Sequence, residues 1–476
     1  MDVTPLLLDG RWVTSATATP IRNPHTGAVI AEVCQAEHAH LDQAIAAAER
    51  AFRATRTTPR HQRAAWLSNT AAGLAAQKAD IAKLIASEAG KPIQYANSEV
   101  DRAVATFTVA SEEAKRLGGE WIPTDSTPSG EGYVAMTKRM PLGPIAAFAP
   151  FNFPLNLVAH KIAPCLASGN TMVLKPPPQA PLTALRLGRI LLEAGVPPGV
   201  VNILPCDIPI AEGLVGDPRI QFITFTGSAK VGWHLKANSG KKGVLLELGG
   251  NAAAVVHMDA DLPWVAKRLA VGAFAYAGQI CISVQRILVH EAVYERFIEQ
   301  FLAEVDALPV GDPLDAKTVV GPLIDRAAAD RVERWTSEAV AGGAQALRSM
   351  SRKDNVIAPI VLANARPEMA VSCEEVFGPV VTLAPYRSFD GALVAVNDSR
   401  YGLQAGVFTH DIRRVFEAID RLDVGGVIIN DYPTFRVDHT PYGGTKDSGL
   451  GREGVKYAMD AMTQIKTAVF RTGLSL

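Results

Sequence analysis

GPIAAFAPFNFPLNLVAHKIAPCLASGNTMVLKPPPQAPLTALRLGRILLEAGVPPGVVNILP, residues 143–205, decides the fold class. Three short strand-like runs stand out in it: GPIAAFAP (143–150), TMVLKP (171–176) and VVNILP (200–205). A fourth, IQFITFTG (220–227), follows. Helical stretches such as APLTALRLGRILLEAG (180–195) separate them. Strands that alternate with helices at this spacing predict a mostly parallel, doubly wound α/β sheet.

Upstream, from about Leu41 to Arg116, the chain is alanine-rich with apolar residues at helical spacing, as in LDQAIAAAERAFRAT (41–55). Gly118 to Gly132 is a break rich in turn formers, and YVAMTKRMPLG (133–143) reads as a strand after it. Downstream, KGVLLELGG (242–250), AAAVVH (252–257) and VFEAIDRLDVGGVIIN (415–430) predict a second α/β unit beyond about residue 248. No internal repeat or low-complexity linker interrupts this pattern.

The 476 residues exceed what one hydrophobic core holds, so at least two domains are expected. With 48% hydrophobic and 20% charged residues the composition is that of a soluble globular enzyme. A formal net charge of −1 offers no global basic field for a nucleic acid or a membrane surface. The five cysteines are scattered, with no CxxC and no Cys/His cluster at metal-ligand spacing, so no metal is expected and a reducing compartment is. Met1 to Arg11 lacks the basic-then-apolar pattern of a secretory signal, and no run approaches the ~18 apolar residues of a membrane span. A cytoplasmic protein is the expectation.

Five places carry candidate chemistry, each with a plainer alternative. Cys281 in FAYAGQICISVQR (274–286) follows a Tyr-Ala-Gly turn signal that would hold it at an element end. A nucleophile there needs a stabilised thiolate, whereas a lone cysteine is commonly a small buried hydrophobe. Glu247 in VLLELGGN (244–251) ends an apolar strand before two glycines, which suits a general base or an edge-strand charge. Ser228 in FITFTGSAKVGWHLK (222–236) begins a helix whose free N–H groups favour a phosphate, or merely caps it. Asn152 in APFNFPLNLVAHK (149–161) sits in a rigid turn, placed to donate to an oxyanion or only to cap the turn. Lys175 in VLKPPPQAP (173–181) ends a strand, where it meets a ribose or phosphate, or solvent. The common GxGxxG dinucleotide fingerprint is absent at these junctions.

Taken in order along the chain, these segments resemble the aldehyde dehydrogenase superfamily over nearly the whole length. The motifs are PFNFP (150–154), LKP (174–176), FTGS (225–228), LELGGN (246–251), GQICIS (278–283), EEVFGP (374–379) and PYGGTKDSGLGREG (441–454). The resemblance implies two doubly wound α/β domains, an NAD(P)-binding one over 1–118 and 138–248 and a catalytic one over 249–453. A small β element, from 119–137 and 454–476, would join subunits into a homodimer or homotetramer, the tail TQIKTAVFRT (463–472) offering an edge.

The same resemblance implies that Cys281 is the nucleophile and Glu247 the base for the deacylating water. Asn152 and the Cys281 N–H would form the oxyanion hole, with Lys161 and Glu453 relaying protons. Cofactor contacts would come from Ala149, Pro150, Phe151, Lys175, Thr226, Gly227, Ser228, Leu248, Gly249, Glu375 and Phe377. Many NAD-preferring relatives carry glutamate three positions after the lysine; here Pro178 stands there, so both NAD and NADP remain open. VDRAVATF (100–107) and NDYPTFRVDHTPYGG (430–444) resemble a branch acting on lactaldehyde, glyceraldehyde 3-phosphate and phosphonate aldehydes. In that branch Arg102, and with it Arg436, would meet an anionic substrate tail beside Phe151 and Asn152; the alternative is a pair of ordinary salt bridges. Few bulky aromatics beyond Phe151, Tyr276 and Phe435 are expected around the substrate. Two other classes remain: a nucleotide-binding relative that has lost its chemistry, and a relative that passes the thioester to coenzyme A. The intact Cys281, Glu247 and Asn152 disfavour the first and Glu247 the second.

Overall fold

The computed structural model describes residues 3–348 and 350–472. Residues 1, 2, 349 and 473–476 lie outside the described residues, and with them the outer ends of segments 1–118 and 454–476. Two large sheets dominate. The first runs, in spatial order, Gly449–Leu450, Gly243–Glu247, Phe222–Thr226, Pro144–Phe148, Thr171–Lys175, Val201–Ile203, Leu6–Leu8 and Arg11–Val13. Its five central strands are parallel. Chain order runs one way from Pro144–Phe148 through Thr171–Lys175 to Val201–Ile203, then resumes on the other flank at Phe222–Thr226. The reversal between Pro144–Phe148 and Phe222–Thr226 opens a crevice beyond the carboxyl ends of these strands, the standard place for a ligand in an open α/β sheet.

The second sheet has the order Gln345–Arg348, Ile360–Ala363, Val380–Tyr386, Val284–His290, Ala252–Val256, Gln404–Phe408, Gly426–Ile429, parallel except for its first strand. Its near-continuous apolar strands are buried on both faces, as helix-covered parallel strands must be. The alanine-rich region forms four helices: His38–Thr55, Arg60–Ala76, Lys78–Ala89 and Ile93–Arg116. Helix Asn156–Ser168 is buried along its entire length, so its polar side chains, Lys161 among them, are held inside the protein.

Three boundaries differ from the sequence-based ones. The strand Tyr133–Pro141 runs past residue 137. Gly449–Leu450 pairs with Leu246–Glu247 and returns the chain to the first sheet before residue 453. Helix Val455–Ala461 buries Val455, Ala458 and Met459 in the core of the first sheet's helices, leaving only Thr463–Arg471 to pair with Tyr133–Pro141. From the sequence these residues are expected in the β element, and no helix is expected there. The small sheet of Trp121–Ile122, Tyr133–Pro141 and Thr463–Arg471 leaves Trp121, Ile465, Val469 and Phe470 more than half exposed. No helix of the described residues is long and apolar enough to cross a membrane.

Candidate active site

The two sheets face each other with opposite ends. The first presents the turns that follow its strands: Pro150–Asn152, Thr226–Ser228 and Leu248–Gly249. The second presents the loops that precede its strands: Cys281 before Val284–His290, and Glu375 and Phe377 before Val380–Tyr386. Together they line a cleft of about 960 Å³.

Cys281 is held by an unusual loop. Tyr276, Ala277 and Gly278 adopt left-handed conformations in succession (φ 53°, 54° and 69°). Such strain persists only where the surroundings over-determine it. Here the Tyr276 hydroxyl donates to the Ala89 carbonyl (2.9 Å), and a Cβ on Gly278 would strike the Gly378 carbonyl. Gln279, fully buried, donates to the Tyr276 and Pro322 carbonyls and accepts from the Ile324 N–H. The cysteine two residues later is thereby fixed, half-buried, at the mouth between this cleft and a second, smaller chamber.

Asn152 Nδ2 donates to the Gln279 carbonyl at 3.0 Å, which sets the orientation of the amide and leaves its second N–H free. Both Asn152 and Cys281 line the cleft. Glu247, 2% exposed, lies within the sheet, because Gly449–Leu450 covers the edge beside it. Neither carboxylate oxygen has a hydrogen-bond partner. Burial, reinforced by the charge of Glu453, raises its pKa well above the ordinary carboxylate range. Gly443 in the final motif has no room for a side chain, since a Cβ there would sit 2.8 Å from Glu247 Oε1.

Behind Glu247 lies a fully buried ionic cluster. Lys161 Nζ donates to Thr226 Oγ1 (2.7 Å), Thr224 Oγ1 (3.3 Å) and Glu453 Oε1 (3.2 Å). Arg436 Nη2 donates to Glu453 Oε2 at 3.2 Å. Burial alone would raise the Glu453 pKa, but Lys161, Arg436 and His160 outweigh it and hold the group below its usual range. The pKa values of two neighbouring carboxyls are thereby driven apart, the separation that acid–base chemistry uses.

A dinucleotide fits the cleft. Ser228 caps helix Ala229–Asn238, so the first N–H groups of that helix point at the cavity. Glu375 accepts one N–H, from Gly250 at 3.0 Å, leaving lone pairs for a diol, and burial pushes its pKa up to about 7. A Cβ on Gly249 would collide with that carboxylate, so the glycine is what lets the Glu375 loop close. Phe377, at φ 48°, packs edge-to-face on Phe151 at 5.9 Å. Ala149, Lys175 and Pro178 lie beside the cleft and not in its lining. The Ala149 N–H donates to the Lys175 carbonyl (3.3 Å), and Lys175 sits near Cys206 and Asp207 at the strand end.

On the far side of Cys281 a chamber of about 170 Å³ opens. Both Arg102 and Arg436 line it. Arg102 is gripped by Asp438 through Nε (3.1 Å) and Nη2 (2.7 Å), and Asp438 also binds Asn156 Nδ2 (3.0 Å) and His160 Nε2 (2.8 Å). The aromatic expectation is corrected here. Tyr95, Phe153, Tyr432 and Tyr442 join Tyr276 around the chamber, whereas Phe435 is 44% exposed and outside the lining. These rings come from separated segments, so no local spacing announces them. Asp438 and Tyr442 are further site residues that sequence reasoning does not reach, although both fall inside the same stretch, 430–444, as Arg436.

A model of the aldehyde dehydrogenase family matches residues 12–468. The chain belongs to the aldehyde dehydrogenase family. It is 41% identical over 465 residues to a 3-sulfolactaldehyde dehydrogenase of Priestia aryabhattai, covering 98% of this chain and 97% of that one. Aldehyde dehydrogenase 21 of Physcomitrella patens, solved with the reaction product succinate, superposes with a TM-score of 0.97 at 42% identity, covering 100% and 99% of the two chains. A glyceraldehyde-3-phosphate dehydrogenase of Methanocaldococcus jannaschii, solved with NADP, does so at 0.93 and 37% identity, covering 96% and 100%. The dehydrogenase is thus an oxidoreductase that oxidises aldehydes with NAD or NADP.

Proposed function

We propose that this dehydrogenase oxidises a short aldehyde with an anionic tail, through a thioester on Cys281. The observation that carries the reading is that Arg102 and Arg436 line the same small chamber as Cys281. Each is already held by a carboxylate, Arg102 by Asp438 and Arg436 by Glu453, which fixes its direction and leaves part of its donor fork free. Lys91 and Glu99 also line the chamber and are paired with each other, which leaves the two arginines as the groups that meet an anionic tail. Relatives named for a sulfonated aldehyde and solved with succinate accord with such tails.

In this reading the Cys281 sulfur adds to the aldehyde carbon, and the second N–H of Asn152 with the Cys281 N–H receives the oxyanion. When bound, NAD(P)+ accepts the hydride that converts the thiohemiacetal to the thioester. Glu247, once ionised, takes a proton from water as the water adds to the thioester carbonyl, and cleavage of the C–S bond releases the carboxylic acid and the Cys281 thiolate. Lys161 and Glu453 carry that proton onward. The exposed strip of the small sheet serves a homodimer or homotetramer, and the compartment is the cytoplasm.

Arg102→Ala is expected to lower kcat/KM for carboxylate- and sulfonate-tailed aldehydes roughly 10- to 100-fold, the worth of one charged hydrogen bond. Neutral lactaldehyde should change by no more than a few-fold. Equal losses on both substrates would remove the tail-binding role. Pro178 leaves the 2′-phosphate unopposed, so NADP is accepted. Pro178→Glu should cut the NADP-to-NAD ratio of kcat/KM roughly tenfold or more; an unchanged ratio would place the 2′-position elsewhere.

A further inference from the structure

Cys281 has a partner that the thioester chemistry above does not use. Its sulfur lies 3.0 Å from the Tyr442 hydroxyl, and among the described residues no other hydrogen bond reaches it. We infer that the Tyr442 O–H is a catalytic group of this dehydrogenase, the donor that favours ionisation of the Cys281 sulfur and stabilises the thiolate that attacks the aldehyde. The inference rests on Cys281 being the nucleophile.

The geometry of Tyr442 is over-determined. Its N–H donates to the Glu453 carbonyl (3.0 Å) and its carbonyl accepts the Glu453 N–H (2.7 Å), so the residue is riveted to the ionic cluster by two backbone bonds. Its ring packs with Ile282 and Leu403. The Arg436 guanidinium stands 3.6 Å from the ring centroid. A cation over a phenol ring draws electron density from it and makes the O–H a stronger donor. The residue is 4% exposed, so no water competes for the hydroxyl from bulk.

The contact discriminates between the two states of the sulfur. With a neutral thiol either atom donates and the bond is weak. With a thiolate only the phenol donates, and the bond becomes charge-assisted. Burial raises the pKa of both groups, and the hydrogen bond from Tyr442 acts on the sulfur in the opposite direction and lowers it. The other charged or titratable groups acting on the sulfur are Glu375, Arg436 and Glu247. Arg436 alone of these is a cation, and it is engaged by Glu453. Against burial, Tyr442 is therefore the hydrogen-bond donor, among the described residues, that favours the ionised sulfur.

The test reads Cys281 chemically, without turnover. The rate of alkylation by iodoacetamide is followed against pH, the modified peptide being identified by mass, in the wild-type enzyme, in Tyr442→Phe and in enzyme carrying 3-fluorotyrosine at 442. Tyr442→Phe should move the midpoint up by about one pH unit. The plateau at high pH should stay the same or rise, since a hydrogen-bonded thiolate is the less nucleophilic one. Fluorotyrosine, a stronger donor, should move the midpoint down. Shifts in opposite directions support the role. Any other pattern overturns it, including a lowered plateau with an unmoved midpoint, which a purely structural tyrosine would give. Because the midpoint is read on the sulfur itself, failure here is distinct from failure of Cys281 as nucleophile, which substitution of Cys281 reports.

Discussion

Cys281→Ala is expected to have no dehydrogenase turnover while binding reduced or oxidised cofactor normally. No second thiol can substitute. Cys34, Cys165 and Cys206 are buried in the cores, and Cys373 is bonded to the Glu368 carbonyl and outside both cavities. The free amide N–H of Asn152 then has no oxyanion to bind, because without sulfur addition the aldehyde carbon stays trigonal. The half-buried sulfur is small, so its removal should cost only about 1 kcal/mol of stability. A thermal melt close to wild type, together with absent formation of reduced cofactor, is the expected pair of results. Turnover retained at even a few per cent would sink the covalent route.

Glu247→Gln should separate the two halves of the reaction. Glutamine keeps the shape of the carboxyl but cannot take a proton. One equivalent of reduced cofactor per site should appear as a burst, followed by a steady state slower by roughly 10²- to 10⁴-fold. The pH dependence follows from the raised pKa of Glu247. Below that pKa the group is a neutral acid and cannot activate water. As pH climbs through it the carboxylate forms and wild-type turnover rises, from a point well above where an ordinary glutamate would titrate. The Cys281 thiol, pushed up to about 11 chiefly by burial, steepens the same alkaline rise in kcat/KM. The glutamine variant should lose the limb that belongs to deacylation and keep the one that belongs to the thiol. An undiminished steady-state rate in Glu247→Gln would move the base elsewhere.

Much of the site is legible in the sequence because it is carried by short contiguous signals. The left-handed Tyr276-Ala277-Gly278 turn stands in the sequence as Tyr-Ala-Gly, and the close approach behind Gly249 and Gly250 stands there as Leu-Gly-Gly-Asn. Ser228 reads as a helix cap and is one. Less is legible where a residue's role comes from what faces it. Tyr442 lies within a quoted motif, yet nothing local distinguishes it from a packing aromatic. It meets Cys281 from 161 positions away. Asp438 likewise reads as a loop acid until Arg102, 336 positions distant, is brought into its fork. Chain position alone groups the helix Val455–Ala461 with the C-terminal strand, because it precedes that strand; its apolar face belongs to the core of the first sheet.

The alternation of strands and helices and the order of the motifs are properties of neighbouring residues. The sequence by itself determines these, and through the family resemblance that the motifs carry it implies the oxidation of an aldehyde with a nucleotide cofactor. The pairing of Arg102 with Asp438, the raised pKa of Glu247 beside the lowered one of Glu453, and the hydroxyl on the Cys281 sulfur are different in kind. Each depends on separated segments of the chain being brought together. Their energies come from desolvation and from distances of about 3 Å between atoms remote in the chain. No run of residues encodes such a distance, and only the folded chain decides it.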